Sequence, residues 1–532
     1  MVLEKTRSFV WQYFKIDDPK TFRTDYIDQS IDRSRGIPKV GKWDKYNFLN
    51  AFAWYPSHYS WYEIKYLIKV DFCILFFLTF SFYTKYLDNS NVTSAYVSGM
   101  KEDLNLKGNE LNYINTCYTV GFAAFQIPTT MLITKPQLSR HLLLFCELAW
   151  GLMTLANAYV RNVQEMYVVR FFIGVFEACS FPVTYVILSS YFSADELFKR
   201  CGFYGAGAVA GMASAGALQS SAMKHLTGIN GLAGWRWQYI IDAVLTFGVF
   251  LYGFFLFPGI PSSTKKFGPF SEDDMTFARK RLEKQVSAPT TWTLKALKKT
   301  VSTWQLYVCG ALWVLHHKVW YSPTNQLYMK SVPQYFKGTE VTTWDSYINA
   351  DGIAFTLLVP PLCAYYGKLV PVNVVYLTAY FTAIVLLIYD VPHKVYMAAL
   401  FLQQPFRDGL AQIFYSWFAV LCRDDVEKKA LVLSGVQVAS YAINAFSIPL
   451  QYDVSDSPRF RKGYIINLVI IICSHIVFFG LLFLEKFDRK YIPRFAGGRH
   501  EYDTDSDFSS ASSEIEFSKE DARVEEISLE SN

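Results

Sequence analysis

The chain reads as an all-α integral membrane protein with twelve transmembrane helices in two six-helix halves. Three observations lead there. Long apolar runs recur in two sets of about six, and a run of roughly 20 such residues is enough to span a bilayer. A polar, basic stretch from Pro258 to Thr303 separates the sets. Only 18% of residues are charged, against about 25% in soluble domains, while 44 Phe, 36 Tyr and 13 Trp suit lipid-facing helices with interfacial rings.

In chain order, residues 1–65 carry Lys5, Arg7, Lys15, Asp17, Asp18, Arg33 and Arg35 without an early apolar core, so no cleavable signal sequence is expected. The first six spans fall near 66–86, 111–133, 139–160, 166–192, 200–223 and 235–257. A connecting region, 258–303, follows. The second six fall near 304–322, 345–366, 371–389, 394–421, 430–450 and 463–485, with a tail from 486 to 532. His316, His317 and Lys318 interrupt the seventh.

Lys and Arg concentrate in alternate loops: Lys135 and Arg140, Lys199 and Arg200, the central loop, then Lys368, Arg423, Lys428 and Lys429. That bias predicts cytoplasmic termini and a cytoplasmic central loop. The +5 net charge is spread between spans, not along one face, so it argues against nucleic-acid binding. Nine cysteines show no CxxC pair or Cys/His cluster, so structural zinc and a disulfide framework are not expected. Within the central loop, Ser271 followed by Asp274 is an acidic variant of the capping box and predicts a short surface helix. The tail beyond His500 is acidic and Ser-rich, too polar to fold alone. Its serines offer sites for regulatory kinases or trafficking factors.

Charges inside spans need a protein-lined or watery setting and are the first functional candidates. They are Lys85, Asp88, Glu147, Arg170, Glu177, Asp242, Arg407 and Asp408. Lys85 and Asp88 are three apart and share a helix face, either as an anion site or as an interfacial pair. Arg170 and Glu177 share a face of span four, as a coupling site or a packing ion pair. Gln126, Asn115, Gln219, Gln326 and Asn444 supply neutral polar groups, and His316 and His317 titratable ones. Gly205, Gly207, Gly211 and Gly216 permit close helix crossing in span five; they lack the order of a nucleotide-binding loop. Asn91–Val92–Thr93 forms a glycosylation sequon. No nucleophile–base group accompanies the spans, so enzymatic activity is not expected.

Three stretches narrow the reading. Lys85–Tyr86–Leu87–Asp88 precedes "AYVSGMKEDL" at Ala95–Leu104; "RFFIGVFEA" runs from Arg170 to Ala178; "NGLAGWRW" runs from Asn230 to Trp237. Together they resemble the fungal allantoate permease and vitamin-transporter branch of the anion:cation symporters, within the major facilitator superfamily, over about Lys65 to Lys486. Within that branch the pantothenate and biotin permeases are most similar. The resemblance implies proton-coupled uptake at the plasma membrane, with the endoplasmic reticulum as the site of synthesis or an alternative location. The implied substrate is a small organic anion, with pantothenate first and biotin, allantoate or a dipeptide as alternatives. The proton is the implied coupling ion, with no other cofactor and no metal; membrane lipids are the surroundings. A non-transporting nutrient sensor is the alternative of a different class. The loop Ile133–Arg140 departs from the superfamily's Asp–Arg–x–Gly–Arg–Arg pattern: it lacks the Asp and the glycine, so the superfamily's cytoplasmic contacts do not transfer directly.

Overall fold

The computed structural model describes residues 51–491, except 56–58, 60, 262–265, 283–297, 299, 320–324, 326–327, 330, 337, 423–424, 453–455 and 457–458. The acidic tail beyond 491, most of the N-terminal region and Gln326 lie outside the described residues. Helices account for the fold: α1 Trp61–Ala95, α2 Glu110–Ile133, α3 Pro136–Asn157, α4 Val163–Leu188, α5 Ala194–His225 and α6 Gly234–Leu256. After these come α7 Glu272–Leu282, α8 Trp304–Lys318, α9 Gly338–Tyr366, α10 Leu369–Ile388, α11 at residues 393–421, α12 Val426–Gln451 and α13 Arg461–Tyr491.

Among the described residues, eight helices are long and apolar enough to cross a membrane. They are α1, α3, α4, α5, α6, α9, α10 and α13. The other expected segments fall short for local reasons. The α2 helix carries Asn112, Asn115, Thr116 and Gln126; α8 has 15 residues; Glu427, Lys428 and Lys429 occupy the first turn of α12. Two adjustments to the expected boundaries bear on the site. The first span is longer than 66–86, so Lys85 and Asp88 lie within α1 and not at its outer end. The α4 helix is interrupted at 178–181, where Ser180 bonds back to the Glu177 carbonyl at 2.8 Å.

Small residues set the crossings. A side chain at Gly207 or Gly211 on α5 would strike the carbonyl oxygens of Thr79 and Tyr83 on α1 at 2.7 and 2.4 Å. Gly121 and Gly174 do the same between α2 and α4, at 2.3 Å from Phe171 O and 2.2 Å from Tyr118 O. Without lipid-excluding hydrophobic drive between helices, such close backbone approach is a main source of association. Gly216 meets nothing within 4 Å and is a spacer, not a crossing point. Further pairs are α3 with α6, α8 with α12 and α13, and α10 with α13. The helices before the 258–303 stretch (α1–α6) and those after it (α8–α13), a first and a second group in chain order, meet where α5 packs on α9 and α2 on α12.

The predicted cap is present. Asp274 accepts from the Ser271 backbone N–H at 3.0 Å, while Ser271 Oγ accepts from the Asp274 N–H at 3.1 Å. Asp274 also ties α7 to the start of α1, accepting from Lys69 Nζ at 2.7 Å and Tyr62 Oη at 3.2 Å. Phe277 packs edge-on against Tyr62 and Tyr66.

Replacing Gly174 by Ala should destabilise the α2–α4 crossing by about 1–3 kcal/mol, the usual range for overpacking, while Gly216→Ala should leave the melting temperature of the detergent-purified protein unchanged. Burial alone would raise the Asp274 carboxyl, but the Lys69 and Ser271 hydrogen bonds outweigh it and hold it below the ordinary value. A carboxyl depressed in the folded state stabilises above its unfolded value and loses that contribution as pH falls through the folded one. Hydrogen exchange in α7 should therefore accelerate below about pH 4, near the unfolded value, and Asp274→Asn should bring the acceleration to neutral pH.

Candidate functional site

The expected charges converge on α1, α4 and α6, but not in the expected pairs. Lys85 and Asp88 do not bond to each other. Lys85 Nζ donates to Ser180 Oγ at 2.8 Å and sits 4.2 Å over the Phe122 ring; it is only 3% exposed. Asp88 takes Arg170 at 3.3 Å, both side chains 1% exposed, and Arg170 also donates to Tyr239 Oη at 3.1 Å. The Arg170–Glu177 packing pair is thereby corrected. Seven residues along a helix return to one face but lie about 10 Å apart, and Arg170 turns to α1 and α6 instead.

Glu177 is fully buried and accepts from Tyr118 Oη at 2.7 Å and Asn89 Nδ2 at 3.1 Å. Asn89 Nδ2 also donates to the Lys85 carbonyl at 3.0 Å, and Lys85's partner Ser180 bonds to the Glu177 carbonyl. Lys85 and Glu177 thus occupy one wall, linked by Asn89 and Ser180. Their side-chain partners are neutral: hydroxyls, an amide and a ring. No carboxylate among the described residues lies within the 4.0 Å ion-pair distance of Lys85 Nζ.

The remaining candidates divide. Glu147 on α3 is buried and accepts from Ser81 Oγ at 2.7 Å. Gln126 Nε2 donates to the Ala178 carbonyl at 3.1 Å, securing the break in α4. Asp242 accepts from Asn91 Nδ2, and Asn91 Oδ1 in turn accepts from Gln238 Nε2. Asn91 is therefore a buried strut between α1 and α6, which rules out the sequon as an accessible glycosylation site. Trp235 and Arg236, within the NGLAGWRW stretch, clamp Asp103 at 3.1 and 3.0 Å; Arg236 also donates to the Ala158 and Val160 carbonyls.

In the second group of helices, Arg407 donates to Asp408 at 3.2 Å and to Asn349 Oδ1 at 2.9 Å. Adjacent residues of an α-helix diverge by about 100°; here both sit in a π-helical turn, Pro405–Gly409. Asn444 is partly buried on α12, and its Oδ1 has no partner among the described residues. The adjacent histidines separate. His316 is buried against Phe406 and Phe414, whereas the His317 ring is exposed between Trp313 and Tyr441.

Aromatic rings join the two groups. Phe181 meets Tyr415 at 4.5 Å and Trp313 at 6.1 Å, Tyr185 meets Tyr415 at 4.8 Å, and Tyr185 Oη bonds to Gln412. Phe122, beneath Lys85, contacts Tyr441 at 5.1 Å.

One strong pair escaped the sequence reading. Arg200 makes a bidentate bond to Asp71 at 2.6 and 2.8 Å, and Asp71 also accepts from Trp54 Nε1 and Tyr55 Oη. Asp71 lay within an apolar run just as Lys85 did, and that was the available signal. Arg140, the basic residue kept from the departing loop, bonds to the Phe254 and Phe257 carbonyls at the end of α6, where the helix dipole favours a cation.

A membrane-embedded helical bundle with an ionic wall between two packed groups defines a solute carrier. The chain belongs to the Major Facilitator Superfamily, whose profile matches residues 74–449, a family of transporters and not of enzymes. Its particular place is the fungal pantothenate and vitamin-transporter branch. The chain is 33% identical to the pantothenate transporter liz1 of Schizosaccharomyces pombe, over 77% of this chain and 80% of that protein. It is 31% identical to the pantothenate transporter FEN2 of Saccharomyces cerevisiae, over 80% and 86%. The vitamin H transporter of S. cerevisiae is 29% identical, over 90% and 79%. The fold matches the solved proton:xylose symporter XylE with a TM-score of 0.58 at 12% identity, covering 82% of this chain and 98% of that one.

Removing Arg170 alone strands Asp88 and should cost about 3–5 kcal/mol, the usual penalty for an unpaired buried charge. The double change Asp88→Asn with Arg170→Gln should recover a good part of that loss, read as melting temperature and monodisperse yield in detergent.

Proposed function

We propose that the protein is a proton-coupled importer of a small organic anion at the plasma membrane, with a vitamin-type monocarboxylate as substrate and pantothenate ahead of biotin. The twelve-span, two-half arrangement belongs to this reading, with 66–257 and 304–485 as the bundles and 258–303 as the cytoplasmic connector. So do cytoplasmic termini, supported by the Lys/Arg bias of the loops.

Lys85 carries the proposal: a buried ammonium held by a hydroxyl and a ring, with no carboxylate within ion-pair distance among the described residues. The two buried guanidiniums on α4 and α5 are each paired with a carboxylate, Arg170 with Asp88 and Arg200 with Asp71. A substrate carboxylate completes Lys85. The names of the relatives, two pantothenate transporters and a vitamin H transporter, support a carboxylic-acid vitamin.

Charge balance supplies the coupling. A buried charge is tolerated when paired and is expensive alone. With the site empty, Lys85 and Glu177 compensate each other along one wall. When an anion takes Lys85, Glu177 loses its compensating charge, and a proton on Glu177 restores neutrality. Anion and proton then move together as the two groups of helices rock about the site. Glu177 keeps two neutral donors, Tyr118 and Asn89, in position to hold it in either state.

Labelled pantothenate and biotin, offered to yeast lacking its own importers of each, test the assignment. Saturable uptake of one ligand, abolished by collapsing the proton gradient, is the expected result. No uptake by protein verified at the surface would reject the vitamin assignment and favour another nutrient anion or a sensing role. Lys85→Gln should lower uptake at least tenfold. Glu177→Gln should retain exchange of labelled for unlabelled substrate while losing the dependence on external pH.

A further inference from the structure

We infer that His317, positioned by Ser440, is a specificity-determining residue that hydrogen-bonds the end of the substrate distal to its carboxylate. The inference rests on the anion-carrier reading and extends it to the second group of helices.

A run of contacts links α1 to α8. Lys85 Nζ lies 4.2 Å over Phe122; Phe122 meets Tyr441 edge-on at 5.1 Å; Tyr441 meets the His317 ring at 6.3 Å. The cation belongs to α1 and the imidazole to α8, so a ligand reaching from Lys85 past Tyr441 to His317 touches both groups. Phe122 is buried beneath Lys85, and the half-buried Tyr441 offers an aromatic face with no fixed charge, suited to a short aliphatic or amide-containing body.

The imidazole is held in a defined orientation. Nδ1 shares a hydrogen bond with Ser440 Oγ at 2.9 Å, and the ring lies 5.0 Å from Trp313 at an interplanar angle of 33°. Trp313 is itself fixed by donating Nε1–H to Gln437 Oε1 at 2.8 Å. Ser440 and Trp313 are buried, while His317 is exposed between them and Tyr441. Its other nitrogen, Nε2, is the group left to meet a ligand. Nε2 donates where Ser440 donates to Nδ1, and accepts where Ser440 accepts from Nδ1–H. His316 has no such role: one residue earlier its ring is enclosed by Phe406 and Phe414.

A site that satisfies a substrate hydroxyl rejects the analogue lacking it, because its own polar group is then left unpaired. The matching substrate chemistry is a monocarboxylate with a hydroxyl or amide at the far end.

The test uses the full-length protein in importer-deficient yeast, with competition against labelled pantothenate by two unlabelled probes. One is pantothenate; the other is N-isovaleryl-β-alanine, which keeps the carboxylate and amide and lacks both hydroxyls. Wild type should prefer pantothenate, and His317→Ala should reduce that preference about tenfold, as expected for a lost polar contact. The change should fall in KM for pantothenate with the weak inhibition by the analogue preserved. His317→Gln, which keeps a hydrogen-bonding end group, should restore part of the preference. Ser440→Ala should lower it less, and it serves as the readout should the His317 variants fail to reach the surface. Unchanged selectivity in surface-expressed His317→Ala, or in Ser440→Ala where it stands in, overturns the inference and leaves the carrier assignment intact. Absence of pantothenate uptake in wild type overturns both.

Discussion

Neutralising charge inside a low-dielectric helix bundle is the constraint on which the rest of the structure depends. On α1, Lys85 and Asp88 are one turn apart, and both are removed from lipid and bulk water. The α4 helix solves the two problems differently. It gives Asp88 a full counter-charge in Arg170, and it gives Lys85 only the hydroxyl of Ser180. The first arrangement is a structural bond whose loss is costly. The second leaves Lys85 with no carboxylate within ion-pair distance among the described residues. The break in α4 at 178–181 follows from the same requirement, since it brings Ser180 to Lys85 while Gln126 satisfies the carbonyl of Ala178.

Close crossings make that electrostatic arrangement rigid. Gly174 lets α4 touch α2 beside Tyr118, the residue that donates to Glu177, so the helix packing and the setting of the Glu177 carboxylate share one contact region. Gly207 and Gly211 bring α5 onto α1 within two turns of Lys85. At another level of α1, the bidentate Arg200–Asp71 bond ties α5 to α1 again and collects Trp54 and Tyr55 ahead of the first helix. The superfamily's missing loop carboxylate is thus not replaced in place. Arg140 turns to the α6 carbonyls, and a carboxylate on α1 takes a different arginine.

The sequence made the membrane architecture legible through run length and loop charge, and it flagged the ionic residues because charges in apolar runs are rare. It did not reveal partner choice. Helical periodicity put Lys85 beside Asp88 and Arg170 in line with Glu177, yet side chains choose partners across helix crossings whose rotation no single-helix pattern encodes. The π-helical turn at Pro405–Gly409 shows the same limit: α-helical periodicity separates Arg407 from Asp408, and the wider turn brings them together. The capping box at Ser271 and Asp274 was readable because both partners lie within one helical turn. Asp71 was missed although its signal equalled that of Lys85, because its partner Arg200 stood at a span boundary and read as a loop charge.

The asymmetry between the two groups of helices bears on what the proposed site can carry. The α1–α4 wall presents a cation and an acid with neutral partners, so it is the side able to change its net charge. In the second group, Arg407 is already compensated by Asp408 and anchored on Asn349, while Tyr441, Ser440 and His317 offer rings and hydrogen bonds. A dianion would need a second uncompensated cation, and Arg407 could serve only by giving up Asp408. A neutral solute would leave the partial desolvation of Lys85 unanswered. Under the proposed function, a single carboxylate with an apolar body and a polar far end satisfies both walls, and its one negative charge calls for one proton on Glu177 to restore balance.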